Sequence, residues 1–136
     1  MVAAGNFGAD AKYTSPARVP EVVTVGSTDI NDVIAIDSNY GAVVDLFAPG
    51  VDIISTWISN DTATNSISGT SMAAPHVAGI VASLISRNGD SSPEDMSAAL
   101  KDLAVADAIS GLRECLSGCS FGHFLIFNDS FRNWNS

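Results

Sequence analysis

Positive charge is scarce in this sequence. Its 136 residues hold six Lys and Arg against fifteen Asp and Glu, for a formal net charge of −9, and the pI is about 4.2. Binding to nucleic acid or to an anionic membrane draws on clustered Lys and Arg that neutralise phosphate. The few basic residues here are scattered, so neither partner is expected. Long apolar runs are also missing: no stretch approaches the ~20 residues that span a bilayer. The opening Met1-Val2-Ala3-Ala4-Gly5-Asn6 lacks the basic start and extended apolar region of a signal peptide. It reads as the end of a buried strand entering a turn, so the sequence looks truncated here, with Met1 an internal methionine. Cysteine is limited to Cys115 and Cys119. A lone C-x-x-x-C pair is weak ground for zinc or redox chemistry, and two incidental thiols is the plainer reading.

What is present is apolar. Hydrophobic residues make up 46% and charged residues only 15%, the balance of a folded domain, or part of one, and not of a disordered tail. Short β-branched runs bounded by turn residues mark strands at Val2–Ala4, Val22–Gly26, Val43–Phe47 and Val51–Ser55, with a weaker one at Ser66–Ser68. The unbroken Val22-Val23-Thr24-Val25 suits a strand covered on both faces, as in α/β proteins. Two helices are predicted. The first covers about Ser71–Ser86, has small residues for close packing, and stops at Arg87-Asn88-Gly89. The second opens on Ser92-Pro93-Glu94-Asp95, with Ser as N-cap, Pro in the first turn and acid three residues on, and runs through Met96, Leu100 and Leu103. From about Gly111 the periodicity fails.

The segment that carries chemistry is Gly69-Thr70-Ser71-Met72-Ala73-Ala74-Pro75-His76-Val77-Ala78-Gly79. A Ser placed where a Gly-containing loop feeds a helix is held by backbone, and the first-turn N–H groups and helix dipole favour negative charge beside it. An acyl-transfer nucleophile needs this as an oxyanion develops. A Ser at a helix start is also a common N-cap, and on chemistry alone the two readings stand level.

The wording of the segment separates them. It resembles the signature around the nucleophile of the subtilisin-like serine proteases, most closely their proteinase K-like fungal branch. The resemblance runs from Val2 to about Ile109 and takes in V-A-A-G-N at Val2–Asn6, S-P-A at Ser15–Ala17, V-x-T-V-G at Val22–Gly26, S-N-Y-G at Ser38–Gly41, A-P-G at Ala48–Gly50 and S-T-W at Ser55–Trp57. It implies a fold class: α/β, part of a three-layer arrangement around a mostly parallel sheet, incomplete at the N-terminal side. It implies Ser71 as nucleophile and Asn6 as side-chain oxyanion donor, although an isolated Asn beside Gly5 would otherwise be read as a turn residue. Ala3, Ala4 and Gly5 become one wall of the pocket for the side chain before the cleaved bond, whose small residues leave room for large apolar groups. A structural Ca²⁺ held by the carbonyls of Pro20 and Val22 and the carboxylate of Asp45 is implied too, hard oxygen donors being what that ion takes. The plainer reading is that Asp45 caps a strand end. Protein or peptide substrates, secretion, and an N-terminal propeptide acting as inhibitor complete what the resemblance implies.

The base and its orienting carboxylate are not legible. Neither an Asp-[Ser/Thr]-Gly catalytic segment nor H-G-T-H occurs. His76 lies five residues after Ser71, about 7.5 Å along the helix and ~140° around it, and is expected to be structural; His123 has no matching context. The Asp residues at 10, 29, 32, 37 and 52 read as turn and loop acids. G-x-S-x-G, the α/β-hydrolase motif, is excluded because Ala73 stands where its second Gly would be. Residues 1–110 therefore read as the C-terminal portion of a protease catalytic domain. Residues 111–136 read as an atypical tail, a gene-model artefact or a divergent end, with only a faint family echo at Leu125–Asn128. The expected function is that of a serine endopeptidase, or else of an inactive fragment or pseudoenzyme. Asn60-Asp61-Thr62 and, in a poorer context, Asn128-Asp129-Ser130 are N-glycosylation sequences.

Overall fold

The alternation of short apolar runs with turn residues produces a parallel sheet carrying two helices on one face. The structure, a computed structural model, describes residues 1–111 and 124–126. In chain order the elements are β1 (Val2–Ala3), a 3₁₀ turn (Ala11–Tyr13), β2 (Thr24–Thr28), β3 (Leu46–Pro49), β4 (Ile53–Thr56), β5 (Thr64–Ile67), α1 (Thr70–Asn88), α2 (Pro93–Leu103), β6 (Val105–Ala106) and β7 (Phe124–Leu125). The sheet order is β1-β2-β3-β7-β6, parallel throughout except for the β6–β7 pair. The α/β class and mostly parallel sheet expected from the sequence are what is found.

Side-chain alternation along each strand decides which layer each residue joins. Val23, Val25, Leu46, Ala48 and Ile126 face the helices and pack against Ala73, Val77 and Ile80 of α1 and Leu100 of α2. The α1 residues recur at helical spacing, one stripe of a helix otherwise exposed or half-exposed. Phe47 and Leu125 face the other way, where Ile109 and Ile34 cover them. On the described residues this second face is roofed by loop segments, without a helical layer.

Several boundaries move from their expected places. The strand expected at Val43–Phe47 begins only at Leu46, because the Val44 N–H closes a turn on Gly41 O (3.0 Å) and the chain first reaches the neighbouring strand at Asp45, whose N–H donates to Thr24 O (2.9 Å). Similarly, β2 starts at Thr24, since the Val22 N–H closes a turn on Val19 O (3.3 Å). Strands β4 and β5 pair with each other as an antiparallel hairpin outside the main sheet, with Asn60-Asp61-Thr62 in the exposed loop between them. Helix α1 starts one residue early, with Gly69 as N-cap. Helix α2 is capped as expected: the Asp95 N–H donates to Ser92 Oγ at 3.1 Å. Beyond Gly111, residues 124–126 insert into the sheet between β3 and β6, and the Ile126 N–H donates to Phe47 O at 3.1 Å. Part of the tail thus belongs to the core. Cys115, Cys119, His123 and Asn128 lie outside the described residues.

Candidate active site

Two loops, far apart in sequence, meet beyond the C-terminal ends of the parallel strands, where open α/β sheets place their ligand sites. One loop leaves β1 as Ala4-Gly5-Asn6; the other leads through Gly69 into α1. The end of β3 anchors the second loop: the Gly50 N–H donates to Thr28 O (2.9 Å), and the Gly69 N–H donates to Gly50 O (2.7 Å). Gly69 then has φ of 146°, a conformation L side chains rarely adopt. A Cβ there would also stand 3.1 Å from Asn6 Nδ2.

Thr70 joins the two loops. It is fully buried, and both its N–H (2.9 Å) and its Oγ1–H (2.8 Å) donate to Asn6 Oδ1. Its Oγ1 in turn accepts from the Gly5 N–H at 3.1 Å. A backbone N–H only donates, so the oxygen of the Asn6 amide is the atom turned inward. The Nδ2 hydrogens are therefore left to point outward, and no acceptor takes them among the described residues. Asn39 braces the same loop from beneath. It is fully buried; its Oδ1 accepts from the N–H groups of Phe7 (3.0 Å) and Ala9 (3.1 Å), and its Nδ2 donates to Ala4 O (2.8 Å) and Thr14 Oγ1 (3.0 Å). Gly5, at φ of 102°, passes so close to Asn39 that a Cβ would lie 2.5 Å from its Nδ2. Every hydrogen-bonding position of that amide is used, which fixes the loop carrying Asn6.

Ser71 sits on the exposed side of this junction as the second residue of α1. Gly69 occupies the N-cap and Ser71 is already the second residue of the helix, so Ser71 is not there as an N-cap. Its N–H belongs to the first-turn amides that a helix leaves without an intrahelical acceptor. The site thus presents a hydroxyl, a first-turn N–H and an oriented amide donor. Ala3 and Gly5 are half-buried beside it, whereas the Ala4 side chain is fully buried against Ala11 and Ala17 and contributes its backbone alone to any pocket wall. His76 Nδ1 lies 2.8 Å from Met72 O. A carbonyl only accepts, so Nδ1 carries the proton and the ring faces back along its own helix. Sequence reasoning named Ser71 and Asn6. It passed over Thr70, which read as a letter of the motif, and Asn39, whose only signal was its place in S-N-Y-G.

The acids read as loop residues behave as such. Asp10 caps the 3₁₀ turn and pairs with Lys12 at 2.9 Å. Partial burial alone would raise its carboxyl, but hydrogen bonds from the Lys12 N–H and ammonium outweigh that and hold it below the usual value. Asp29 Oδ1 accepts from Val33 N–H (3.0 Å) and Asn31 N–H (2.8 Å), and its carboxyl is lowered, chiefly by the Val33 bond. Among the described residues no three His, Cys, Asp or Glu cluster as a metal site. Pro20, Val22 and Asp45 do line one pocket, together with Lys101. However, Asp45 Oδ2 accepts from the Thr24 N–H (2.9 Å), and its Oδ1 lies 2.8 Å from Lys101 Nζ. As arranged, this set does not fit a Ca²⁺ ion. No helix among the described residues is long and apolar enough to cross a membrane.

Comparison with known proteins points the same way as the geometry. The pattern of the subtilase family matches residues 1–122. Alkaline protease 1 of Aspergillus flavus is 49% identical over 112 residues, which are 82% of this chain and 28% of that protein. Alkaline serine protease ver112 of Corniculantispora psalliotae is 60% identical over 90 residues, 66% of this chain and 23% of that protein. The crystal structure of a cold adapted subtilisin-like serine proteinase superposes with a TM-score of 0.84 at 44% identity, covering 93% of this chain and 44% of that one. The chain spans under a third of the length of these curated relatives.

Proposed function

Since the chain belongs to the subtilase family, we propose that it carries the nucleophile and the oxyanion hole of a secreted serine endopeptidase. Ser71 Oγ attacks the scissile carbonyl and gives its proton to a base. The carbonyl oxygen, now negative, accepts hydrogen bonds from Asn6 Nδ2 and the Ser71 N–H. Collapse expels the amine, which takes the proton from the base and leaves an acyl-enzyme on Ser71 that water hydrolyses. The observation that supports this reading is the pair of Thr70 bonds to Asn6 Oδ1, because they engage the amide's oxygen and leave its Nδ2 as a donor beside Gly69 at the start of α1. Donors fixed before charge develops need no reorganisation during the reaction, which is why they contribute so much. The substrates are proteins or peptides with an apolar side chain before the cleaved bond, lodged against Ala3 and Gly5, and an N-terminal propeptide is the natural inhibitor.

Among the described residues no side chain fills the role of the base. Tied to Met72 O, His76 is turned from Ser71, and no H-G-T-H segment is present. We place the base and its carboxylate outside these 136 residues. The second reading, that the chain by itself is catalytically inactive, follows from that arrangement: loss of the base alone in subtilisin costs about 10⁶ in turnover.

A segment exchange tests both readings. Residues 1–111 replace the matching segment of the Aspergillus flavus protease, which supplies the remainder of the enzyme. The chimera is expected to hydrolyse a peptide amide and to lose that activity in Ser71→Ala. Asn6→Ala should lower kcat by about 10²–10³, the cost measured for subtilisin's own side-chain donor, with KM little changed. A folded chimera whose activity ignores Ser71 would refute the assignment. The chain alone should show no Ser71-dependent hydrolysis.

A further inference from the structure

We propose that the ammonium of Lys101 takes the place of a structural metal ion at Asp45, so that this part of the fold is held without calcium. Asp45 stands immediately before β3 and grips the start of β2 twice: its backbone N–H donates to Thr24 O, and its Oδ2 accepts from the Thr24 N–H, both at 2.9 Å. One carboxylate oxygen remains, and Lys101 Nζ sits 2.8 Å from it, the distance of a charge-assisted hydrogen bond. Lys101 is the one basic residue lining a pocket that also includes Pro20, Val22, Glu21 and Glu94.

The coordination chemistry argues for the lysine. Calcium takes six to eight oxygens at about 2.3–2.6 Å. A metal bound to Asp45 Oδ1 at that distance would fall in the space of the ammonium, with like charges in contact. Asp45 Oδ2 already accepts from the Thr24 N–H, so a metal reaching for that second oxygen would have to share it with the bond that holds β2. A single positive charge matches a single half-used carboxylate, and a tethered one carries no dependence on ion concentration. Lys101 also lies in the last turn of α2, where a cation is favoured by the carbonyl ends of the helix. The bond therefore ties α2 to the β2–β3 end of the sheet.

The test is calorimetric titration of the protein with calcium, together with melting in EDTA and in millimolar calcium. The unmodified protein is expected to take up no calcium at this site and to melt at one temperature in both solutions. Lys101→Ala should melt a few degrees lower in EDTA, because a half-exposed ion pair contributes modestly, and should recover part of that loss in calcium. Calcium uptake by the unmodified protein that disappears in Asp45→Asn would overturn the proposal. So would a Lys101→Ala protein as stable as its parent and equally indifferent to calcium, since the ammonium would then be holding nothing. No activity is read, so failure here leaves the assignment of Ser71 and Asn6 untouched.

Discussion

Thr70 touches no substrate in the proposed chemistry, yet the position of Asn6 depends on it. In the chimera described above, Thr70→Val keeps the buried volume but removes the hydroxyl that donates to Asn6 Oδ1 and accepts from the Gly5 N–H. A net hydrogen-bond contribution of about 1 kcal/mol predicts a fall in kcat of roughly five- to tenfold with KM nearly constant, and recovery in Thr70→Ser. An equal fall in Thr70→Ser would show that the hydroxyl is not what matters. A second residue-scale effect concerns acid. The folded-state carboxyl of Asp29 is lowered from 3.8, first by the Val33 N–H. Its contribution to stability is therefore fully present above the unfolded value and is lost as pH falls through the lower folded one. Urea midpoints measured downward from pH 5 should drop less steeply in Asp29→Ala than in the parent, by a small margin because the group is exposed. The sequence singled out Ser71 and Asn6 because each sits in a run of letters that resembles one established chemistry. Thr70 and Asn39 were not singled out, since their roles exist only after residues 5–9 and 39–70 have been brought together.

Helix ends were the most legible elements and strand starts the least. Ser92-Pro93-Glu94-Asp95 contains its own cap, so the start of α2 is decided within one turn. The start of β3 is decided by Asp45 binding Thr24, a contact across two strands that no local window contains. The β4–β5 hairpin was obscured for another reason: β5 reads Thr-Asn-Ser-Ile, half-exposed and polar, and so lacks the apolar run that marked the sheet strands. Two substitutions test how the elements bear load. Leu100 is fully buried between α2 and the sheet, and Leu100→Ala should cost about 2–5 kcal/mol. Leu103, three residues on and 47% exposed, should cost under ~1 kcal/mol when truncated. Denaturation midpoints at unchanged m-value read the difference, and equal costs would mean that α2 does not pack as described. Gly69→Ala is expected to lose about 1–3 kcal/mol through backbone strain, with Asn6 displaced as well because the new methyl stands 3.1 Å from its amide nitrogen.

For the whole molecule, charge and edge exposure oppose each other. On the described residues β1 pairs on one side only, with β2, and an open strand edge is a template for association. Large apolar side chains stand in solvent as well, with Phe7 82%, Ile36 86% and Ile58 94% exposed. What holds copies of the chain apart is a net charge of −9, carried by carboxylates that ordinarily titrate near pH 4. As the pH falls toward the pI of about 4.2, that repulsion vanishes while the edge and the apolar side chains remain. Light scattering should therefore rise steeply between pH 6 and the pI, and more steeply at higher protein concentration. Acid destabilisation through groups such as Asp29 would also expose apolar surface in this range, so salt at neutral pH separates the two causes. At 1 M salt the Debye length is only about 3 Å, and repulsion is screened with every carboxylate still ionised. If loss of repulsion is the cause, scattering rises in neutral salt without loss of helical circular dichroism. If the chain stays monodisperse in salt and associates only in acid, unfolding is the cause, and the β1 edge is better protected than its pairing indicates.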